Sequence, residues 1–196
     1  MSSAEKTLSE KESLQLITEM IGKAKNSYHS NGTSAILWGS VIFFCSVFNF
    51  IQVQFDLPVD FDIWWLMFLA LVPQFIWIFR SKKQKTFVRY EETSLSYVWW
   101  AFGAAIVMMM LFNFYYRPSH SISIYLMLFG LPTFITGGMF RFKPMILGAM
   151  ICWVLFGVSL YCEVKTSLLL MALAALFAWL IPGIILKRKC SKAAQQ

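Results

Sequence analysis

Six long stretches of apolar residues, separated by short polar segments, follow one another along the chain. They cover residues 33–55, 63–79, 95–116, 122–140, 144–161 and 168–186. Each stretch approaches the ~20 residues that a helix needs to cross the hydrocarbon core of a bilayer. Because a helix satisfies its own backbone hydrogen bonds in lipid, the pattern predicts an all-α bundle of six transmembrane helices over residues 33–186, followed by a basic tail, 187–196.

The segment that precedes the first apolar stretch, residues 1–32, has a different periodicity. Ser9 and Glu12 stand three residues apart, which is the capping-box pattern typical of the start of a helix. Apolar residues then recur at alternating three- and four-residue steps and share one helical face, here called the amino-terminal stripe: Leu14, Ile17, Ile21, Ala24 and Tyr28. The pattern predicts an amphipathic helix over residues 10–29. Its stripe is expected to contact lipid headgroups, the ends of the spans or a helix of another protein.

The distribution of positive charge predicts the orientation of the spans. Fifteen of the seventeen Lys and Arg residues fall in the amino-terminal segment, the tail, and the second and fourth loops, and Arg117 and Lys165 lie on the other side. Because positive charge accumulates on the cytoplasmic side of membrane proteins, both termini are predicted to be cytoplasmic. The second loop is predicted to be a further contact for a partner or for lipid, through Arg80, Lys82, Lys83, Lys85 and Arg89.

Composition supports a membrane protein and argues against a nucleic-acid partner. Hydrophobic residues make up 58% of the 196 residues and charged residues 14%, which is too apolar for an ordinary soluble domain. The net charge of +7 comes from cations that flank the spans, where they meet anionic headgroups. Tryptophans and tyrosines, Trp179 among them, mostly fall near the ends of the spans and predict aromatic belts at the membrane interfaces. The lipid bilayer is therefore the expected partner.

The spans lack the residue types that ion-coupled transport and catalysis use. No Asp, Glu, Lys, Arg or His lies in the central part of any predicted span, whereas proton relays depend on such groups. His29 and His120 are predicted on opposite sides of the membrane, and no Cys or His falls at ligand spacing. Motifs of hydrolases, zinc proteases and phosphate-binding loops are absent from the sequence. We therefore expect no enzymatic activity, no cofactor and no metal site.

An internal repeat of three helical hairpins is indicated by small and polar residues in the spans. A glycine followed ten residues later by an asparagine occurs in the first and the third span, at Gly39 and Asn49 and at Gly103 and Asn113. The second, fourth and sixth spans share a proline one to two turns before the basic end: Pro73, Pro132 and Pro182. The spacing predicts three parallel repeats around an axis near the membrane normal.

A small pore is an alternative function for these residues. Each proline removes a backbone hydrogen bond and frees a carbonyl inside the bilayer, where water or a neighbouring helix must satisfy it. The residues that could line a polar cavity are Asn49, Pro73, Gln74, Asn113, Pro132, Thr133, Thr136 and Pro182. The competing interpretation is close packing, because small residues and threonines also let membrane helices approach one another.

Two groups of short motifs stand at the start of the chain and around the fourth loop. They are ESL (12–14), ITEMI (17–21), KNSY (25–28) and LWG (37–39), and TGG (136–138), RFKP (141–144) and ILG (146–148). With these motifs the chain resembles a family of small, uncharacterised bacterial membrane proteins. The resemblance implies six spans behind an amphipathic lead helix in a bacterial inner membrane, and it implies no activity or functional residue.

The function expected from these patterns is that of a non-enzymatic sensor, anchor or regulatory module. It would present the amino-terminal stripe to lipid, to a cytoplasmic protein or to a second copy of the chain. The alternative is a small channel or facilitative transporter lined by the proline-containing even-numbered helices.

Overall fold

The computed structural model describes residues 32–58, 61–84, 90–116 and 121–193. Every regular element in these ranges is helical, as the sequence predicts. The helices are α1 Gly32–Gln54, α2 Leu66–Gln84, α3 Tyr90–Tyr116, α4 Ser121–Met139, α5 Lys143–Ser159, α6 Val164–Ala175 and α7 Ile181–Ala193. A 3-10 turn, Ile63–Trp65, precedes α2, and a π-helical turn, Leu176–Leu180, joins α6 to α7 without a break. The amino-terminal stripe, Lys85 and Arg89 lie outside the described residues.

The helices have the character of a multi-pass membrane protein. Four described helices are long and apolar enough to cross a bilayer: Gly32–Gln54, Thr93–Tyr116, Ser121–Met139 and Val164–Lys189. The segments Ile63–Ile76 and Lys143–Ser159 are apolar but shorter. Helices α1, α4 and α5 agree with the predicted spans within two residues at each end, whereas α3 begins five residues before the predicted residue 95, α2 ends five residues after the predicted residue 79, and the last span extends beyond both of its predicted ends. Crossing by the two shorter helices stays a prediction.

The last span, formed by α6, the π turn and α7, has helices packed along several of its sides. Helix α1 runs antiparallel to it, so that Gly32 lies against Gly183 and Gly39 lies against Leu180. Helix α5 also runs antiparallel to the last span and meets it where Gly148 faces Ala178. The main apolar core of the described residues includes Ile42 of α1, Leu126 and Phe129 of α4, Cys152 of α5, and Met171 and Trp179 of the last span.

Helices α4 and α5 form an antiparallel hairpin with an extensive contact between them. The hairpin turns within three residues, because the N–H of Phe142 donates to Gly137 O at 2.8 Å and the N–H of Arg141 donates to Gly138 O at 3.1 Å. These two bonds form a Schellman motif, which satisfies carbonyls at the end of α4. Pro144 follows in the first turn of α5, where a missing N–H costs no helical hydrogen bond.

Helices α2 and α3 lie at the periphery of the bundle. Helix α2 packs on α1, where the Ser34 hydroxyl donates to Gln74 Oε1 at 2.8 Å, and α3 packs on α4. Most large apolar side chains described on α2 and α3 are exposed, for example Phe79 and Phe114. In a membrane such faces contact lipid, so their exposure is consistent with helices at the edge of a bundle.

The two ends of the bundle differ in charge. One end, here called the basic end, carries five exposed cations at the α4–α5 turn and on α7: Arg141, Lys143, Lys187, Arg188 and Lys189. The opposite end carries the exposed Asp62 and Glu163, together with the half-buried Lys165.

The internal repeat of three hairpins stays a prediction. Its two matched glycines have different surroundings: Gly39 touches the backbone of the last span, whereas Gly103 has open space around it.

Candidate functional site at the π turn

The π turn of the last span lies immediately before Pro182. The N–H of Ile181 donates to Leu176 O, five residues earlier, which is the hydrogen bond that defines a π turn. Pro182 has no N–H, so it cannot donate to the carbonyl of Ala178 four residues before it. The backbone is therefore locally irregular inside an apolar span. Single π turns in long helices occur frequently at functional sites, which directs attention to the side chains around this one.

Trp179, within the π turn, is hydrogen-bonded to α4. Its indole Nε1–H donates to Thr133 Oγ1 at 2.8 Å, and the Thr133 hydroxyl donates in turn to Phe129 O at 2.7 Å. Trp179 is 5% exposed and Thr133 is fully buried. Because a buried donor without a partner is costly, this chain of two bonds fixes the orientation of the indole ring. It joins the π turn of the last span to the backbone of α4.

Three further aromatic rings surround Trp179. The ring centroid of Phe129 lies 5.2 Å from that of Trp179, and the centroids of Trp99 and Phe102 lie at 6.0 and 6.3 Å. We call these four residues the aromatic cluster. Its rings come from α3, α4 and the last span, and tilted or edge-to-face pairs at these distances stabilise by ~0.5–1.5 kcal/mol each beyond the burial of their area. The cluster fills the space among these three helices.

Two glycines hold the backbone of the π turn from opposite helices. A Cβ atom at Gly39 of α1 would lie 2.9 Å from Leu180 N, and one at Gly148 of α5 would lie 2.6 Å from both Phe177 O and the Cα of Ala178. These contacts are with backbone atoms, which cannot turn away as a side chain can. We call Gly39 and Gly148 the glycine clamp. The clamp and the aromatic cluster together cover the buried side of the π turn, formed by Ala178 and Trp179, whereas Phe177 on its other side is 39% exposed.

The two buried threonine hydroxyls of α4 donate to carbonyls of their own helix. Thr133 donates to the carbonyl of Phe129, and Thr136 donates to Pro132 O at 2.6 Å, each four residues earlier. Pro132, Thr133 and Thr136 are all buried. This is the usual way in which threonine satisfies its hydroxyl in an apolar helix.

The other candidates for a pore lining are spread over the bundle. Pro182 is buried in the last span, whereas Pro73 is exposed on α2. Gln74 accepts the hydrogen bond from Ser34 described above. Asn113 Nδ2 donates to the Tyr125 hydroxyl at 3.0 Å, which joins α3 to α4. Asn49 is half-buried on α1.

The predicted partner and lipid contacts fall at or beyond the edge of the described region. Arg80, Lys82 and Lys83 belong to the last turns of α2.

Within the described residues, no group of three His, Cys, Asp or Glu side chains is placed to hold a metal ion.

An open apolar groove of about 290 Å³ lies between the second half of α1 and the start of α2. It is lined by Phe44, Cys45, Val47, Phe48, Ile51, Ile63 and Leu66.

Two buried hydroxyls, those of Ser46 on α1 and Ser123 on α4, have no hydrogen-bond partner in the described part of the chain. A buried hydroxyl of this kind is a place where an ordered water is expected.

The prediction that Trp179 belongs to an aromatic belt at the membrane interface is wrong. Trp179 is instead part of the main core. The sequence carried one signal of this position, because Trp179 precedes Lys187 by eight residues, which corresponds to a depth of about 12 Å in a helix. No local pattern indicates the π turn, which arises from the proline together with the packing around it.

Comparison of the chain with protein families, with curated proteins and with solved structures finds no match. The resemblance to small bacterial membrane proteins therefore stays a hypothesis that rests on the motifs.

Proposed function

We propose that the chain is a non-enzymatic anchor, sensor or regulatory module of a bacterial inner membrane. The observation that carries this proposal is the filled space around the π turn, where Trp179 is hydrogen-bonded to Thr133 and surrounded by aromatic rings. A packed core of this kind supports a scaffold that presents surfaces to other molecules. In the described part of the chain, the indole ring of Trp179 and its neighbours occupy the space beside the π turn that a solute route there would need.

The proposal includes six spans. Helix α5 has 17 residues, so it is about 26 Å long, close to the ~30 Å of the hydrocarbon core. It packs along α4, from Gly137 against Ile146 near one end to Gly130 against Trp153 further along. The 19-residue α2 is preceded by a 3-10 turn and packs on α1. Both helices have long neighbours beside which they could cross the bilayer.

The proposed orientation places the basic end in the cytoplasm. It is supported by five exposed cations at that end and by the acidic Asp62 and Glu163 at the other. The amino-terminal stripe would then lie in the cytoplasm, together with the cations of the second loop. These two elements are the proposed contacts for a cytoplasmic protein, a second copy of the chain or the membrane surface.

Removal of residues 1–28 tests this function. The shortened chain is expected to insert and fold as the full chain does, because α1 and the later helices provide the core contacts. It is expected to lose a stoichiometric partner that the full chain retains. The measurement is native mass spectrometry of both forms, extracted from the native membrane in nanodiscs, with circular dichroism as the control for folding. A partner that stays bound to the shortened chain would contradict a contact through the amino-terminal stripe, and a full chain that carries neither a protein nor a second copy would contradict both protein contacts and leave the membrane surface.

A channel or facilitator for a small neutral solute is the second candidate. The observations that favour it are the irregular backbone before Pro182 and the buried hydroxyls of Ser46 and Ser123. In a broken helix, freed carbonyls and hydroxyls can replace the water shell of a solute. Such a path along the last span would require the aromatic cluster to move aside, and therefore Trp179 to release Thr133.

A further inference from the structure

Two contacts fix the register between α1 and the start of α2. The Ser34 hydroxyl donates to Gln74 Oε1 at 2.8 Å, and the Cys45 thiol donates to Ile63 O at 3.7 Å. Eleven residues separate Ser34 from Cys45, and eleven separate Ile63 from Gln74. The two segments therefore run antiparallel, and the 3-10 turn that precedes α2 lies at the level of Cys45.

This register places the start of α2 well inside the end of α1. Helix α1 begins at the basic end, where Gly32 lies against Lys187, and it ends at Gln54. Cys45 precedes Gln54 by nine residues, which corresponds to about 13 Å along the helix. Because α1 is about 35 Å long, this level falls within the ~30 Å hydrocarbon core in the proposed six-span arrangement. The exposed Asp62, which immediately precedes the 3-10 turn, lies at the same depth.

The apolar groove described above lies between α1 and this recessed start of α2. Its volume of about 290 Å³ is near the lower end of the range for small-molecule sites. Phe44 and Phe48 are four residues apart, so they share one face of α1, and both are exposed. Their rings line the groove together with Ile63 from the other side. Such rings attract cations through their faces.

Asp62 supplies a negative charge beside the groove. It lies close enough to the thiol of Cys45, a lining residue, for its charge to act on that group. Its Oδ1 accepts the N–H of Trp64 at 3.0 Å. In the described part of the chain no Lys or Arg side chain forms an ion pair with it. A carboxylate at this depth is costly without a positive partner, so a cation that enters the groove would stabilise it.

We propose that the groove and Asp62 form a binding site for a small lipophilic cation. The apolar body of the ligand lies against Phe44 and Phe48, and its positive charge pairs with Asp62. Charge complementarity supports this occupant, because a neutral acyl chain would leave the carboxylate unpaired and an anion would be repelled by it. The site goes beyond the proposed function, since it needs neither the amino-terminal stripe nor a protein partner.

The experiment measures the binding of tetraphenylphosphonium to the full-length protein in detergent by equilibrium dialysis. Tetraphenylborate, an anion of the same shape, is the matched ligand, and micelles without protein correct for partitioning into detergent. The wild type is expected to bind the cation at least about tenfold more tightly than the anion. Equal binding of the two ions, or no binding of the cation beyond that of the micelles, would overturn the proposal.

Asp62→Asn tests the charge. Asparagine keeps a side-chain oxygen that accepts the N–H of Trp64, so the 3-10 turn is expected to stay intact. The variant is expected to bind tetraphenylphosphonium about tenfold more weakly. Asp56→Asn is the matched control, because it removes a negative charge from the same loop and its φ angle of +46° suits asparagine. It is expected to leave binding unchanged, and equal weakening by the two variants would refute a specific role for Asp62.

Val47→Trp tests the apolar part of the site. Val47 lines the groove, so an indole at this position would fill it. The variant is expected to bind tetraphenylphosphonium about tenfold more weakly with an unchanged circular dichroism spectrum. Val107→Trp is the matched control, because Val107 is exposed on α3, nine residues before the end of that helix. Unchanged binding by Val47→Trp, or equal weakening by both variants, would exclude the groove; if Val47→Trp unfolds, the comparison of Asp62→Asn with Asp56→Asn still decides.

Discussion

Trp179→Ala is expected to lower the free energy of unfolding by about 3 kcal/mol, the low end of the range for a buried large aromatic residue. The low end applies because a membrane protein gains less than a soluble one from removing apolar surface from water. The substitution removes three aromatic contacts and leaves a cavity beside Phe129. It also removes the donor to Thr133, which keeps its own bond to Phe129 O.

Trp100→Ala is the matched control for this prediction. Trp100 lies on α3, one residue after Trp99 of the aromatic cluster, and is 75% exposed. Its replacement is expected to change the free energy of unfolding by less than about 0.5 kcal/mol, as is usual for surface positions. The measurement is unfolding by titration with sodium dodecyl sulfate in mixed micelles, followed by circular dichroism. Similar losses for the two variants would mean that Trp179 does not pack at the centre of the fold.

Gly148→Ala is expected to destabilise the protein by about 1–3 kcal/mol, the usual cost of adding a methyl group to a filled space. The added Cβ would lie 2.6 Å from two backbone atoms of the π turn, so α5 and the last span would have to separate. Because Gly39 holds the π turn from the other side, the last span cannot simply shift away from α5.

Gly157→Ala, on the same helix, tests whether the cost comes from contact rather than from the residue type. Nothing lies within 4 Å of a Cβ atom at Gly157. Alanine is the better helix former by roughly 0.5–1 kcal/mol, so this variant is expected to be as stable as the wild type or slightly more stable. The comparison uses the same titration. If Gly148→Ala proves no more destabilising than Gly157→Ala, the backbone contact between α5 and the π turn is not present in solution.

The helices themselves were largely predictable from the sequence, because the length of an apolar stretch fixes where a helix can cross lipid. Helix α1 begins and ends within one residue of the predicted first span. The last span extends beyond its prediction at both ends, to Val164 and Ala193, because the charged and polar residues there continue the helix past the apolar stretch.

The site at the π turn was only partly predictable. Pro182, Thr133 and Thr136 attract attention as polar or irregular positions in apolar spans, but their spacing does not say that Thr133 bonds Trp179. The glycines illustrate the limit: Gly39, Gly103, Gly148 and Gly157 all lie within spans, and only the packing of the helices shows that Gly39 and Gly148 touch backbone while the other two do not. Contacts between helices depend on which faces meet, and a uniformly apolar helix carries no periodicity that reveals this.

Two natural cysteines allow a direct measurement of whether the core is closed to water. Cys152 is fully buried in the main core, and Cys162 is half-buried beyond the end of α5, at the end opposite to the basic end. The experiment treats the wild-type protein in proteoliposomes with a charged, membrane-impermeant thiosulfonate and then maps the modified cysteines by mass spectrometry after unfolding. A closed core predicts that Cys162 is modified and that Cys152 stays unmodified. Modification of Cys152 at a rate comparable to that of Cys162 would contradict the closed core and favour a water-filled path through the bundle.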